Sequence, residues 1–258
     1  MKKILLLLSA FFFVVACQNE DSSKKGDQSL EKIKDAGEFV LGLDDSFPPM
    51  GFRNKDNEIV GFDIDLASEV CSRLGVKLRL QPISWDAKEQ ELNTGKIDCI
   101  WNGLSVDSSR AAAMNLSSPY LNNRMIFTVK DSTLLTLASL AGKKIAVQNG
   151  STAQKILEAS DVGKAAAEIL PFDDNQTALL DVDKGGVDAV FLDEIVAKYW
   201  ITSNEKNFFV LNEGLSDEVY AVAFRKKDQK LRDAVDNILV SMKADGKFAE
   251  ISEKWFGK

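Results

Sequence analysis

Between residues 39 and 224 the chain alternates short apolar runs with amphipathic stretches, and after Tyr120 the alternation starts afresh. In the first run, 39–43, 76–83 and 97–101 read as strands. Residues 61–63 lead into a helix with Leu66, Ala67, Val70, Cys71 and Leu74 on one face and Gly75 at its end, and 88–94 reads as a short helix stopped at Gly95. The second run gives strands at 124–130, 144–148, 168–172, 189–192 and 219–224. Its helices open at 149–152, span 176–183, and start from Asp193 as N-cap through Trp200. The stretch 44–52, with two prolines and a glycine, reads as a loop. A long helix at 228–245 buries Leu231, Ala234, Val235, Ile238, Leu239 and Met242, and a last amphipathic turn carries Phe248, Ile251, Trp255 and Phe256. Strand–helix alternation argues for parallel α/β sheets, and two runs of one grammar argue for two lobes.

A ligand of such sheets sits beyond the carboxyl ends of the strands. Polar residues directly follow apolar strands at Asp44, at 102–105, at 149–152 and at Asp193. Loops are polar everywhere, which explains one such place but poorly explains all four. The stretch 99–110 is the sharpest: a buried strand runs into a turn holding Asn102, Gly103 and Ser105 and ends on Arg110 at a helix start. A guanidinium, a hydroxyl and free backbone N–H groups together suit a small anion such as a carboxylate.

Composition narrows the chemistry. The 258 residues carry a net charge of −7, and no block of Lys and Arg follows the first three residues, which argues against a nucleic-acid partner. Histidine is absent, so Ser–His and Cys–His nucleophile pairs and histidine metal sites are excluded. No metal or cofactor is expected. Cys17, Cys71 and Cys99 form no CxxC pair. Cys71 and Cys99 read as small buried hydrophobes, with a disulfide between them open in an oxidising compartment.

Lys2 and Lys3 precede the apolar run 4–16, which is too short to span a bilayer as an ordinary helix. The run ends in Val14-Val15-Ala16-Cys17, which resembles the bacterial lipobox. That resemblance implies a lipoprotein signal peptide at 1–16, lipid on Cys17, and a polar tether over 17–29. Removing residues 1–16 takes away two lysines and no acid, so the net charge falls from −7 to −9.

The remainder resembles the bacterial extracellular solute-binding proteins that serve polar amino-acid importers. The resemblance is carried by Gly42 through Phe52, Val60-Gly61-Phe62-Asp63-Ile64-Asp65-Leu66-Ala67, Gly95-Lys96-Ile97-Asp98, Asn102-Gly103-Leu104-Ser105 with Arg110, and Ser117-Ser118-Pro119-Tyr120. It continues at 140–148, 185–190 and Asp193, and ends at Lys254-Trp255-Phe256-Gly257. It implies an α/β, two-lobe fold of the periplasmic-binding-protein type II, each lobe a mixed sheet flanked by helices, with two hinge strands. Lobe 1 would comprise 30–121 and 219–258, and lobe 2 would comprise 122–218.

The resemblance also assigns roles. Arg110, Ser105 and Thr152 would hold a ligand carboxylate. Asp193, the Gly103 carbonyl and the Ser105 hydroxyl would take the α-ammonium. Phe47 and Trp85 would sandwich the aliphatic part, while Asp44, Asn102 and Gln148 would face the ligand side chain. Trp101, inside an apolar strand, belongs to the core, and Asp45 faces solvent. Asn102 stands where the family often has a small residue, and Met50-Gly51 replaces the commoner aromatic–acidic pair.

The implied function is capture of a free polar amino acid outside the cytoplasmic membrane and its delivery by hinge closure to an ABC importer permease. The chain would act as a lipid-anchored monomer of the cell envelope. An acid at position 44 favours a basic amino acid or glutamine, with cystine as the alternative. A rival of another class is a carboxylate-dependent dehydratase of the arogenate or prephenate type, which would need Arg110 but no partner for an ammonium. A sensor would carry a membrane span and a signalling domain after Lys258, and an adhesin would bind no amino acid. No GxxxxGK[ST] is present, so ATP chemistry belongs to a partner.

Overall fold

The computed structural model describes residues 26–257. The predicted signal peptide, Cys17 and most of the tether lie outside these residues. Two sheets organise the described chain. The first has the strand order Lys77–Pro82, Glu38–Leu43, Cys99–Ile100, Ala223–Phe224, Asn115–Leu116. The second has the order Glu168–Phe172, Lys144–Gln148, Ala189–Asp193, Leu121–Val129, Phe209–Val210, and Ser216–Tyr220 also pairs with Leu121–Val129.

Both sheets are mixed, where the alternation alone argued for parallel ones. Glu38–Leu43 runs parallel to Lys77–Pro82 and to Cys99–Ile100, because helices make those crossovers. Ala223–Phe224 is antiparallel to both its neighbours. It is reached by a strand that crosses from the other lobe, with no helix to turn the chain around. Likewise Ser216–Tyr220 is antiparallel to Leu121–Val129. These two strands carry the chain between the lobes.

Three other readings change. The strand read at 97–101 narrows to Cys99–Ile100, although Asp98 N–H to Val40 O and Trp101 N–H to Gly42 O continue the pairing on one side. The strand read at 219–224 splits, because Tyr220 still pairs in the second lobe while Ala221 N–H already donates to Leu104 O in the first. The loop read at 44–52 contributes to a small sheet of Ser46–Phe47, Gly51–Arg53 and Ile59–Val60. These strands are two or three residues long, too short for a periodic signal.

Each lobe closes on aromatic packing. Helix Phe62–Leu74 buries Phe62, Ile64, Leu66, Ala67, Val70 and Cys71 and ends where Gly75, at φ 72°, turns its N–H onto Cys71 O and Ser72 O. Phe62 meets Phe256, Phe248 and Tyr120 at ring-centroid distances of 4.8, 5.8 and 6.5 Å. Burial of one such side chain contributes about 1.5–3 kcal/mol. In the second lobe Phe127 and Phe191 pack at 4.5 Å. Trp101 is fully buried in the first lobe. Cys71 and Cys99 are buried there as free thiols, and burial pushes the Cys71 thiol up to about 12.

Candidate functional site

The carboxyl ends of the strands meet at a small, nearly filled cavity between the lobes. All ten residues singled out in the sequence line it: Asp44, Phe47, Trp85, Asn102, Gly103, Ser105, Arg110, Gln148, Thr152 and Asp193. Met125 and Ser151 complete the lining. Met125 sits inside a strand opposite Asp193 and carries no polar group, so nothing in its local pattern singled it out.

The Asn102–Arg110 turn is built from both directions. Asp107 caps the short helix Ser108–Ala113, accepting from Arg110 N–H at 2.8 Å. This places Arg110 on the first turn, with its side chain folded back and only 2% exposed. Its Nη1 donates to Ser105 O at 2.8 Å, while Nε finds no hydrogen-bond partner among the described residues. Ser105 thus positions the guanidinium through its carbonyl. Burial lowers the Arg110 pKa, and Asp107 and Glu218 oppose that effect.

Gly103 has φ 56°, and a Cβ there would lie 2.7 Å from the Phe47 ring and 3.2 Å from the Tyr220 ring. Glycine is required both for the turn and for the close approach of these aromatics. Beneath the turn, the buried Asp63 carboxylate accepts from Gly103 N–H at 2.7 Å and from the Tyr120 hydroxyl at 2.9 Å. No cation of the described residues pairs with it, and burial pushes it up to about 7. Sequence reading placed Asp63 only at a helix start. Its support of the turn needs the 40-residue separation to be closed in space.

Asp193 ends its strand, and its side chain makes no hydrogen bond to the following helix. The predicted N-cap bond is therefore replaced. The carboxylate accepts from Tyr220 and from Asn123, both on the strands that join the lobes. These partners hold it against the cavity wall. Burial pushes its pKa up to about 7, although the Tyr220 hydroxyl and Arg110 favour the ionised form. Glu218, on the same strand as Tyr220, lies beside Arg110 and Ser105, and burial raises it as well.

At the far end, Asp44 accepts from Ser46 N–H at 2.8 Å and from Gln148 Nε2 at 2.7 Å. Burial pushes it up to about 6 against those two hydrogen bonds. Gln148 in turn accepts from Asn175 Nδ2 at 3.2 Å. Asn102 Oδ1 accepts from Asp44 N–H at 3.2 Å, and its Nδ2 is buried without a partner among the described residues. A Cβ at Gly51 would lie 2.5 Å from that Nδ2. Gly51 therefore makes room for the Asn102 amide, so the two departures from the family pattern fit together. Ser151 caps helix Thr152–Ala159, and Thr152 Oγ1 beside it is buried with no partner among the described residues. Phe47 and Trp85 wall the sides and are 5% and 7% exposed.

The cavity thus offers, among the described residues, unpaired donors, one guanidinium and two carboxylates in one lining. The sequence profile of the bacterial extracellular solute-binding proteins, family 3, matches residues 39–258. The L-cystine-binding protein TcyJ of Escherichia coli (strain K12) is 29% identical over 88% of this chain and 86% of its own length. The ABC transporter arginine-binding protein 1 of the same organism is 30% identical over 90% of this chain and 93% of its own length. Among solved structures, a substrate-binding protein of an ABC uptake transporter from Streptococcus pneumoniae, with bound histidine, has a TM-score of 0.87 and 34% identity. That match covers 90% of this chain and 97% of the other.

Proposed function

The chain belongs to the bacterial extracellular solute-binding proteins of family 3, and from that premise we propose that it captures a free basic amino acid outside the cytoplasmic membrane and delivers it to an ABC importer permease. The observation that carries this reading is the charge pattern of one small cavity, whose lining holds Arg110 together with Asp193 and Asp44. In this reading Arg110, Ser105 and Thr152 take the α-carboxylate, and Asp193 with the Gly103 carbonyl takes the α-ammonium. A zwitterion balances Arg110 against Asp193 and leaves Asp44 uncompensated. A cationic side chain supplies the missing charge, and buried charges are tolerated when paired. Phe47 and Trp85 cover the aliphatic stem, and Asn102 and Gln148 fix the side-chain end.

L-cystine is the second reading, supported by the similarity to TcyJ. Its second ammonium is the group Asp44 would accept. A thermal-shift panel of the amino acids with cystine and ornithine tests both. Bound ligand raises the midpoint with ln(1 + [L]/Kd), so arginine, lysine, ornithine or histidine should lead. Leadership by glutamate or aspartate would overturn the charge argument.

The same proposal takes residues 1–16 as a signal peptide, Cys17 as the lipid anchor, 30–121 with 219–258 as one lobe and 122–218 as the other. In this reading the protein binds without turnover, with Asp193 serving an α-ammonium; turnover of arogenate or prephenate would decide for the dehydratase instead. Closure of the lobes around the ligand shifts an open–closed equilibrium toward the form the permease reads.

A further inference from the structure

Lys88 is 4% exposed, yet no carboxylate of the described residues forms an ion pair with it. Its Nζ donates to Trp85 O at 2.8 Å in its own lobe and to Gly150 O at 2.9 Å in the opposite lobe. The ammonium also rides over the Trp85 ring, 4.9 Å from its centroid. The charged groups around it are Arg110, Glu89, Lys155 and Asp86. Lys88 does not line the cavity, so it has no place in the ligand shell described above.

The turn it reaches is shaped for close approach. Gly150 has φ 66°, and a Cβ there would lie 2.8 Å from the Asp86 Cα. Asn149 Nδ2 meets Asp86 Oδ2 at 3.4 Å on the same rim. This turn leads directly into Ser151 and Thr152, and the segment Trp85–Ala87 carries the aromatic wall. One ammonium therefore ties the wall in one lobe to the anion-facing turn in the other.

Resting on the reading of Lys88's neighbours as a ligand shell that closes, we propose that Lys88 is a closure latch: a positioning residue that holds Trp85 and the Gly150 turn together once the lobes have shut. The Gly150 carbonyl is available to it only across a closed cleft. Opening returns the ammonium to water, so the latch engages late and acts on escape. Arg110 repels Lys88 in the closed form, and a ligand carboxylate on Arg110 offsets that repulsion. Engagement is thereby tied to an occupied site.

Stopped-flow binding of L-arginine to the wild type and to Lys88→Met, Lys88→Gln and Lys88→Arg tests this. The latch predicts an association rate within about twofold of wild type and dissociation roughly tenfold or more faster in the first two variants, since a hydrogen bond to a charged group is lost. Lys88→Arg should fall between them and the wild type, and the ligand-free melting temperature should hold. Unchanged dissociation overturns the latch. So does a ligand-free melting temperature that falls as far as the ligand-bound one, because Lys88 would then merely support its own lobe. If the wild type binds neither arginine nor any other amino acid, the functional reading itself fails. The latch, which engages only around an occupied site, falls with it, whereas normal binding with unchanged dissociation overturns the latch alone.

Discussion

Gln148 Nε2 donates to Asp44 Oδ2 at 2.7 Å and so joins the two lobes across the floor of the cavity. The bond leaves Asp44 charged but only partly satisfied, since its other oxygen is engaged by Ser46 N–H alone. Asp44→Asn keeps the shape and removes the charge. Arginine affinity should fall about 10–100-fold, the range for a hydrogen bond to a charged group, while glutamine affinity changes little. Titration calorimetry measures both. Equal losses for the two ligands would mean that Asp44 braces the cleft and does not read charge.

Arg110→Met and Asp193→Asn should each remove useful binding, because the charge left behind is buried without a partner, at a cost of roughly 3–5 kcal/mol. Their effects on the ligand-free fold should differ. Arg110 is buried with an unpartnered Nε, so an apolar replacement leaves the melting temperature level or higher. Asp193→Asn keeps an oxygen for Tyr220 and Asn123 and leaves it near wild type. Near-normal arginine affinity in either variant would remove these residues from the ligand clamp.

Asp63 acts through Gly103. Asp63→Ala orphans the Gly103 N–H and the Tyr120 hydroxyl, and should cost about 1–3 kcal/mol of stability together with a marked loss of affinity. Asp63→Asn retains one accepting oxygen and should recover most of both. Chemical denaturation and calorimetry separate the effects, and an Asn variant as weak as the Ala variant would show that the charge itself is required.

The alternation of strands and helices was legible because each element is long enough to show its period. Strand edges were less so: Cys99–Ile100 and the break after Tyr220 are decided by which neighbouring strand supplies the hydrogen bonds, a fact of tertiary structure. Residues of the cavity that directly follow strands, such as Asn102 and Asp193, announced themselves as polar groups in apolar surroundings. The residues that hold them did not. Tyr220, Asn123 and Asp63 lie 27, 70 and 40 positions from what they position, and each has an ordinary local reading. Lys88 looked like one more charged residue on a short helix until the second lobe was packed against it.

The raised carboxylates give binding a pH signature. In the empty, closed cavity, burial pushes Asp193 to about 7 and Asp44 to about 6, so both hold protons in mildly acidic solution. An ammonium on Asp193 and a cationic side chain on Asp44 favour the ionised forms, so binding must expel those protons. Affinity for arginine should therefore rise with pH through the window from about 6 to about 7 and level off above it. Stability of the ligand-free protein runs the other way. Asp44, Asp63 and Asp193 are all raised above their unfolded value of 3.8, so the native state binds extra protons between roughly pH 4 and 7. That stability is fully present below the unfolded value and is lost as pH rises through the folded ones. Saturating arginine should flatten the acidic slope by the Asp44 and Asp193 share and leave the share of Asp63, which touches no ligand. Melting temperatures across this range with and without arginine, and binding enthalpies in buffers of different ionisation heat at about pH 6.5, measure both effects. An enthalpy independent of the buffer would mean that Asp193 and Asp44 are already ionised before the ligand arrives.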